Sequence, residues 1–213
     1  MKKSTGKGLF IVLEGIDGAG TTTQCQQLAD WLRGRGELAH LTREPSDGPI
    51  GTMLRQVLSK RLQAKTMSGD NVSMDPATVA LLFAADRLDH LQNEVVPYTE
   101  AGYHVVCDRY VLSSLAYQSV GVDMKFVRQI NDKALAPDLT VFLQVSPEVA
   151  MQRIDANRPG RDVFETLGFQ RKVAAAYDEV VKAYRGGRVE TLDGEMRPDT
   201  VFARLRGIVG DYL

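Results

Sequence analysis

Cysteine is nearly missing from this chain: 213 residues hold two, Cys25 and Cys107. They form neither a metal-ligand spacing nor a disulfide framework. That excludes a cysteine-built zinc site and fits a reducing compartment, so a cytoplasmic location is expected. An excess of either charge is lacking too. Lys and Arg number 26 against 27 Asp and Glu, a formal net charge of −1. No overall basic footprint exists, and no nucleic-acid partner is expected. No apolar run approaches the ~18 residues of a membrane span, so no membrane partner is expected either. The start, "MKKSTGKGLFIVLEG", is basic and then apolar. Its apolar part is short and runs straight into glycines, which reads as a buried first strand rather than a secretion signal. Repeats, low-complexity tracts and long linkers are absent, and residues 1–213 are read as one domain.

What is present is material for a core: 44% hydrophobic against 25% charged residues. Apolar runs at 8–14, 38–44, 103–108, 139–145 and 188–193 alternate with helical patterns. Asp75-Pro76 marks a helix start, an N-cap followed by proline in the first turn. That helix is expected to run to about 101, bending or ending near Pro97. Residues 60–75 hold no steady period and read as a loop. Apolar strands alternating with helices predict an α/β fold, a parallel sheet covered by helices on both faces.

One more absence is local. "GIDGAGTTTQ" (15–24) follows the first apolar run and meets the phosphate-loop pattern G-x-x-x-x-G-K-[ST] at Gly15, Gly20 and Thr22. Thr21 stands where the lysine belongs. Gly15, Ile16, Asp17, Gly18, Ala19, Gly20, Thr21, Thr22 and Thr23 still make an anion site. Glycines let the backbone wrap closely, successive N–H groups point inward, and the helix dipole favours negative charge. Thr22 stands where a hydroxyl holds Mg²⁺ in such loops. The same small residues also read as a tight strand-to-helix turn and nothing more.

Further along, Phe83 and Arg87 are four apart and share a helix face. They suit a pyrimidine, one by stacking and one by hydrogen bonding; they equally suit a core ring and a surface charge. Asp108 and Arg109 follow a strand, where open parallel sheets bind ligands. Arginine there can chelate phosphate and aspartate can hold Mg²⁺, or the two can form a structural ion pair. Ser114 and Gln118 are again four apart. Arg153, Arg158 and Arg161 cluster in "RIDANRPGRDVFE", which also fits a solvated face.

"TREPSDGPIG" (42–51), "LLFAADR" (81–87) and "CDRYVLSSLAYQ" (107–118), in this order after the loop, resemble the thymidylate kinase family from about residue 8 to about 205. The resemblance implies a three-layer P-loop NTPase-type fold with a five-stranded parallel sheet flanked by helices. It implies ATP as phosphoryl donor, dTMP as acceptor, Mg²⁺ and a homodimer. Arg43, Phe83, Arg87, Arg109, Ser113, Ser114, Tyr117 and Gln118 match its dTMP site, and Tyr117 its barrier to a 2′-hydroxyl. Asp17 matches a residue near the sugar or the metal, and Thr22 and Asp108 the metal side. Residues 153–165 match its lid, and 192–200 its adenine loop. The REP element departs from the family at Ser46-Asp47-Gly48, where two glycines and a threonine are usual. Asp17, Arg109, Arg153 and Arg161 are the expected catalytic set, with a lid guanidinium taking over the charge missing at Thr21. Two other readings stay open: a nucleotide-binding homologue with little or no catalysis because of Thr21, and a kinase of altered base preference.

Overall fold

A computed structural model describes residues 6–157 and 166–213. Five strands form one parallel sheet: β1 (Phe10–Glu14), β2 (Ala39–Arg43), β5 (His104–Asp108), β6 (Leu139–Gln144) and β7 (Val189–Asp193), in the order β2-β5-β1-β6-β7. Every residue of β1 is buried. Neighbouring side chains on a strand point to opposite faces, so both faces of the sheet are covered, as the continuous apolar run "FIVLE" requires. The register sets Leu13 and Arg43 on either side of Asp108. The carboxyl ends of β1, β2 and β5 therefore meet at one rim, where the chain also crosses from one half of the sheet to the other.

Nine helices are described: α1 (Thr21–Gly34), α2 (Pro49–Leu58), α3 (Pro76–His90), α4 (Val96–Glu100), α5 (Val111–Tyr117), α6 (Met124–Ile130), α7 (Pro147–Asn157), α8 (Leu167–Ala183) and α9 (Pro198–Gly210). Helix α1 packs on α9 and strands β1, β2 and β5, while α5 packs on α8. None of the described helices is long and apolar enough to cross a membrane. The Asp75 carboxylate accepts from the N–H groups of Ala77 and Thr78, with Pro76 in the first turn, so the expected start of α3 holds.

Two expectations change. The long helix is disturbed ahead of Pro97 rather than at it: α3 passes into a π-helical turn, Leu91–Val95, and continues as α4. Proline has no N–H to return to the carbonyl four residues back, and a wider turn before it accommodates the loss. Within 60–75, Ala64–Lys65 (β3) and Asn71–Val72 (β4) pair as an antiparallel hairpin. Its turn is closed by Thr66, Ser68 and Asp70, with Gly69 at φ +90°. Two-residue strands are too short to leave a period in the sequence.

The chain from β2 to α2 is locked to α3. Ser46 donates its N–H and its hydroxyl to the Asp86 carboxylate, at 2.8 and 2.6 Å. Gly51 lies under this crossing: a Cβ there would stand 2.1 Å from the Ser46 carbonyl oxygen. Alanine is the better helix former by about 1 kcal/mol, yet overpacking costs about 1–3 kcal/mol. Gly51→Ala is therefore expected to lower the urea unfolding midpoint; a raised midpoint would show that the loop is free to move off the helix.

Candidate functional site

Strand β1 ends in the loop 15–20, and α1 begins at once behind it. Gly20 caps the helix at φ +92° and supplies no side chain. The first N–H groups of α1 therefore face the loop without a competing cap, the arrangement that receives an anion. Gly18 has φ +82°, and a Cβ on it would lie 2.4 Å from the Ala150 carbonyl oxygen, so the first turns of α7 sit directly against the loop. Thr21 is 5% exposed, and its methyl group lies beside Gly15 on the floor of the loop. The residue in the lysine's place thus packs inward.

An 800 Å³ cavity opens over the loop. Residues 17–24 form one wall and Gly194–Pro198, Arg197 included, with Val201 the other, while Arg109 and Arg153 also line it. The size suits a nucleotide. Arg153 spans the cavity edge, donating to the Gly194 carbonyl at 2.9 Å and to that of Gly18 at 3.5 Å. Arg158, Arg161, Asp162 and Glu165 lie outside the described residues, and so does most of segment 153–165. At the rim of the sheet the Thr22 hydroxyl donates to Asp108 Oδ2 at 2.5 Å. Asp108 Oδ1 is buried with no hydrogen-bond partner among the described residues.

Asp17 stands between the two halves of the site. Its Oδ1 accepts from Arg109 Nη2 at 2.7 Å and its Oδ2 from Gln170 Nε2 at 2.9 Å, while its N–H donates to the Tyr117 hydroxyl. Arg109 also donates to the Gly15 carbonyl and lies over the Tyr117 ring, 5.2 Å from its centroid. Beneath them Glu14 is wholly buried. It accepts from the N–H groups of Tyr110 and Ser113 and from the hydroxyls of Ser113 and Tyr177. Burial raises the Glu14 pKa; the Ser113 hydrogen bonds and the Arg109 charge oppose that rise. Burial likewise raises the Tyr117 phenol, which stays a neutral donor and acceptor.

On the far side Arg87 is 1% exposed. Its Nη2 donates to Glu44 Oε2 at 2.6 Å, to Ser114 Oγ at 3.0 Å and to the Tyr110 carbonyl at 3.1 Å, and its Nη1 to Asn131. Arg87 Nε has no partner among the described residues, and neither has the buried Gln118 Oε1. Phe83 is half-buried one turn before Arg87 on α3. Gln118 and Tyr117 line a second cavity of 270 Å³, together with Val57, Leu58, Phe169 and the base of the 64–72 hairpin. Arg43 is not gathered here. Its side chain is exposed and paired with Asp47 at 2.9 Å.

Glu14, Asn131, Gln170 and Tyr177 escaped the sequence reading. Nothing in their neighbourhoods marks them, because their partners lie far away along the chain. Tyr177 and Glu14, for instance, are separated by 163 positions.

The glycine loop with its cavity, the second cavity at Tyr117 and Gln118 and the buried Arg87 belong to a sequence that known proteins share. The thymidylate kinase family model matches residues 13–204. Proteins named thymidylate kinase from Caldicellulosiruptor saccharolyticus, Trichormus variabilis and Bacillus licheniformis are each 36% identical to this chain. The first match covers 97% of this chain and 98% of the relative, and the other two cover 97% of both. The chain belongs to the thymidylate kinase family of nucleoside monophosphate kinases.

Proposed function

We propose that this protein transfers the γ-phosphoryl group of ATP to dTMP, giving dTDP for dTTP synthesis. The observation that carries the choice of base is the pair of unpartnered buried atoms at Arg87 Nε and Gln118 Oε1. Thymine offers a carbonyl oxygen next to a ring N–H, which call for one donor and one acceptor. Cytosine presents an amino group where the carbonyl would be. The Gln118 amide can turn over, but a guanidinium only donates, so Arg87 disfavours that amino group. Phe83 supplies an aromatic face near the ring, and Tyr117 stands against a 2′-hydroxyl.

Phosphoryl transfer asks for alignment and charge compensation rather than covalent chemistry. Backbone N–H groups within residues 16–22, apart from those of Asp17 and Ala19, which already donate to Tyr117 and Ile16, hold the donor β-phosphate. Arg109, oriented by Gly15 and Asp17, takes the acceptor phosphate, and Arg43 joins it only by leaving Asp47. Ser113 and Ser114 line the sugar and base side. No general base is needed, because the attacking phosphate oxygen is already an anion. The Thr22 hydroxyl and the unpartnered Asp108 Oδ1 are hard oxygen donors that fit Mg²⁺. When bound, Mg²⁺ neutralises charge on the donor phosphates. Residues 153–165 act as a lid over the donor, and residues 1–213 work as one domain in the cytoplasm.

Coupled assays with dTMP, dUMP, CMP and dGMP are expected to rank dTMP first, and Gln118→Ala to raise its KM about tenfold, the worth of one hydrogen bond. Equal turnover of dGMP would refute the base assignment.

The missing lysine is the second issue. A cation 4 Å from a phosphate charge is worth roughly 4 kcal/mol at an effective dielectric near 20, or about a thousandfold in rate. Arg153, already on the cavity edge, is a lid arginine able to supply it, with Arg161 the other candidate. In a double-mutant cycle, Arg153→Ala is expected to cost far more with Thr21 than with Thr21→Lys. Equal costs in both backgrounds, or a thousandfold gain from Thr21→Lys alone, would favour a crippled kinase.

The protein acts as a homodimer through α3, where Leu81 and Leu88 are 48% and 44% exposed on one helix face. Sedimentation is expected to give a dimer that Leu81→Glu/Leu88→Glu converts to a monomer; a monomeric wild-type protein would refute this.

A further inference from the structure

The charge on Arg87 is held by a chain of buried groups that reaches the surface, and none of these groups touches the donor loop. Glu44 is shared: its Oε2 accepts from Arg87 and its Oε1 from His90 Nδ1 at 3.3 Å. The other His90 nitrogen, Nε2, lies 2.8 Å from Thr42 Oγ1 and 3.5 Å from Glu94 Oε2. Glu94 lies in the π-helical turn, and its Oε1 meets His40 Nε2 at 2.7 Å. The half-buried His40 ring stacks on Tyr98, with centroids 3.7 Å apart.

The hydrogen-bond partners of His90 favour a ring protonated on both nitrogens. The Glu44 carboxylate only accepts, so Nδ1 donates. Nε2 faces both the Thr42 hydroxyl and the Glu94 carboxylate, and the carboxylate only accepts, so a proton on Nε2 has an acceptor there. A ring that donates from both nitrogens is an imidazolium.

We propose that His90 is a positioning residue for acceptor recognition: as an imidazolium it fixes the Glu44 carboxylate, which in turn fixes the Arg87 guanidinium whose Nε meets the base. This rests on the acceptor reading above. When His90 loses its proton, Nδ1 or Nε2 turns from donor to acceptor. Glu44 then loses either the Nδ1 donor itself or, when the proton leaves from Nε2, the positive charge behind that donor, and its hold on Arg87 loosens.

Carboxylates outnumber cations among the groups around His90. Glu44, Thr42 and His40 come from β2 and its continuation, Asp86 and Arg87 from α3, Glu94 from the π turn, and Cys107 from β5 beside Thr42. Burial presses the imidazole toward neutrality. The hydrogen bond and charge of Glu44, with the charges of Glu94 and Asp86, outweigh it and raise the His90 pKa above its ordinary value. A raised pKa means that the interaction is complete below the ordinary histidine range and is lost as pH climbs through the raised value.

The test is steady-state kinetics from pH 7 to 9.5 on the full chain, reading acceptor KM, donor KM and kcat separately. Acceptor and donor phosphates stay fully ionised across this range, since their last ionisation lies near pH 6. The wild-type dTMP KM is expected to rise about tenfold as His90 deprotonates, with the ATP KM flat. His90→Gln, which cannot donate from the Nδ1 position, is expected to start about tenfold high and stay pH-independent. His90→Asn places an amide donor where Nδ1 was and is expected to recover most of the pH 7 affinity. Glu44→Gln and His90→Gln should be non-additive in dTMP KM. A wild-type dTMP KM that stays flat across the range overturns the proposal, even if the His90 variants fail to fold. So does a loss in His90→Gln shared equally by both substrates and kcat. Absence of any turnover of dTMP overturns the acceptor reading and this inference together.

Discussion

A guanidinium sealed from water is the constraint around which the acceptor half of this molecule is built. An isolated buried charge costs several kcal/mol, and removing the partner of a buried ion pair costs about 3–5 kcal/mol. Arg87 is therefore surrounded by four acceptors from three parts of the chain: Glu44 after β2, Tyr110 and Ser114 around the start of α5, and Asn131 after α6. Each must reach inward, which fixes where the β2–α2 loop, α5 and α6 lie relative to α3. Ser46 on Asp86 locks the same loop a second time, one residue before Arg87. The result leaves one Arg87 donor, Nε, unsatisfied where the rest of the network is complete.

The donor half follows a different rule. Its loop is shaped by backbone, by φ-positive glycines and the start of α1, so the shape does not depend on a lysine at position 21. Asp17 links the halves. Its carboxylate is held by Arg109 from the strand rim and by Gln170 from the first turn of α8, so the loop and the segment entering α8 share one residue.

Local patterns made much of this legible in the sequence. The apolar runs marked the inner strands β1, β5 and β6, because burial on both faces demands apolar residues along most of their length. The glycine spacing gave the loop, and Asp75-Pro76 the start of α3. What stayed hidden is what depends on distant partners or on direction. Arg87 read equally well as a surface charge, since arginine is mostly exposed, and only its four partners put it inside. Arg43 sits on the edge strand β2 with its side chain outward on Asp47, a choice that spacing from the REP element cannot reveal. The hairpin at 64–72 is too short for a period. The π turn left no mark beyond Pro97, yet it brings Glu94 to both His40 and His90.

Central to this account is a base read by one guanidinium N–H and one amide oxygen. A crystal structure with dTMP bound tests that most directly. The base carbonyl is predicted within about 2.7–3.2 Å of Arg87 Nε, with the ring N–H on Gln118 Oε1 and the Arg87 contacts to Glu44 and Asn131 unbroken. A thymine ring seated elsewhere, with Arg87 Nε still unpartnered or the Glu44 pair broken, would contradict it.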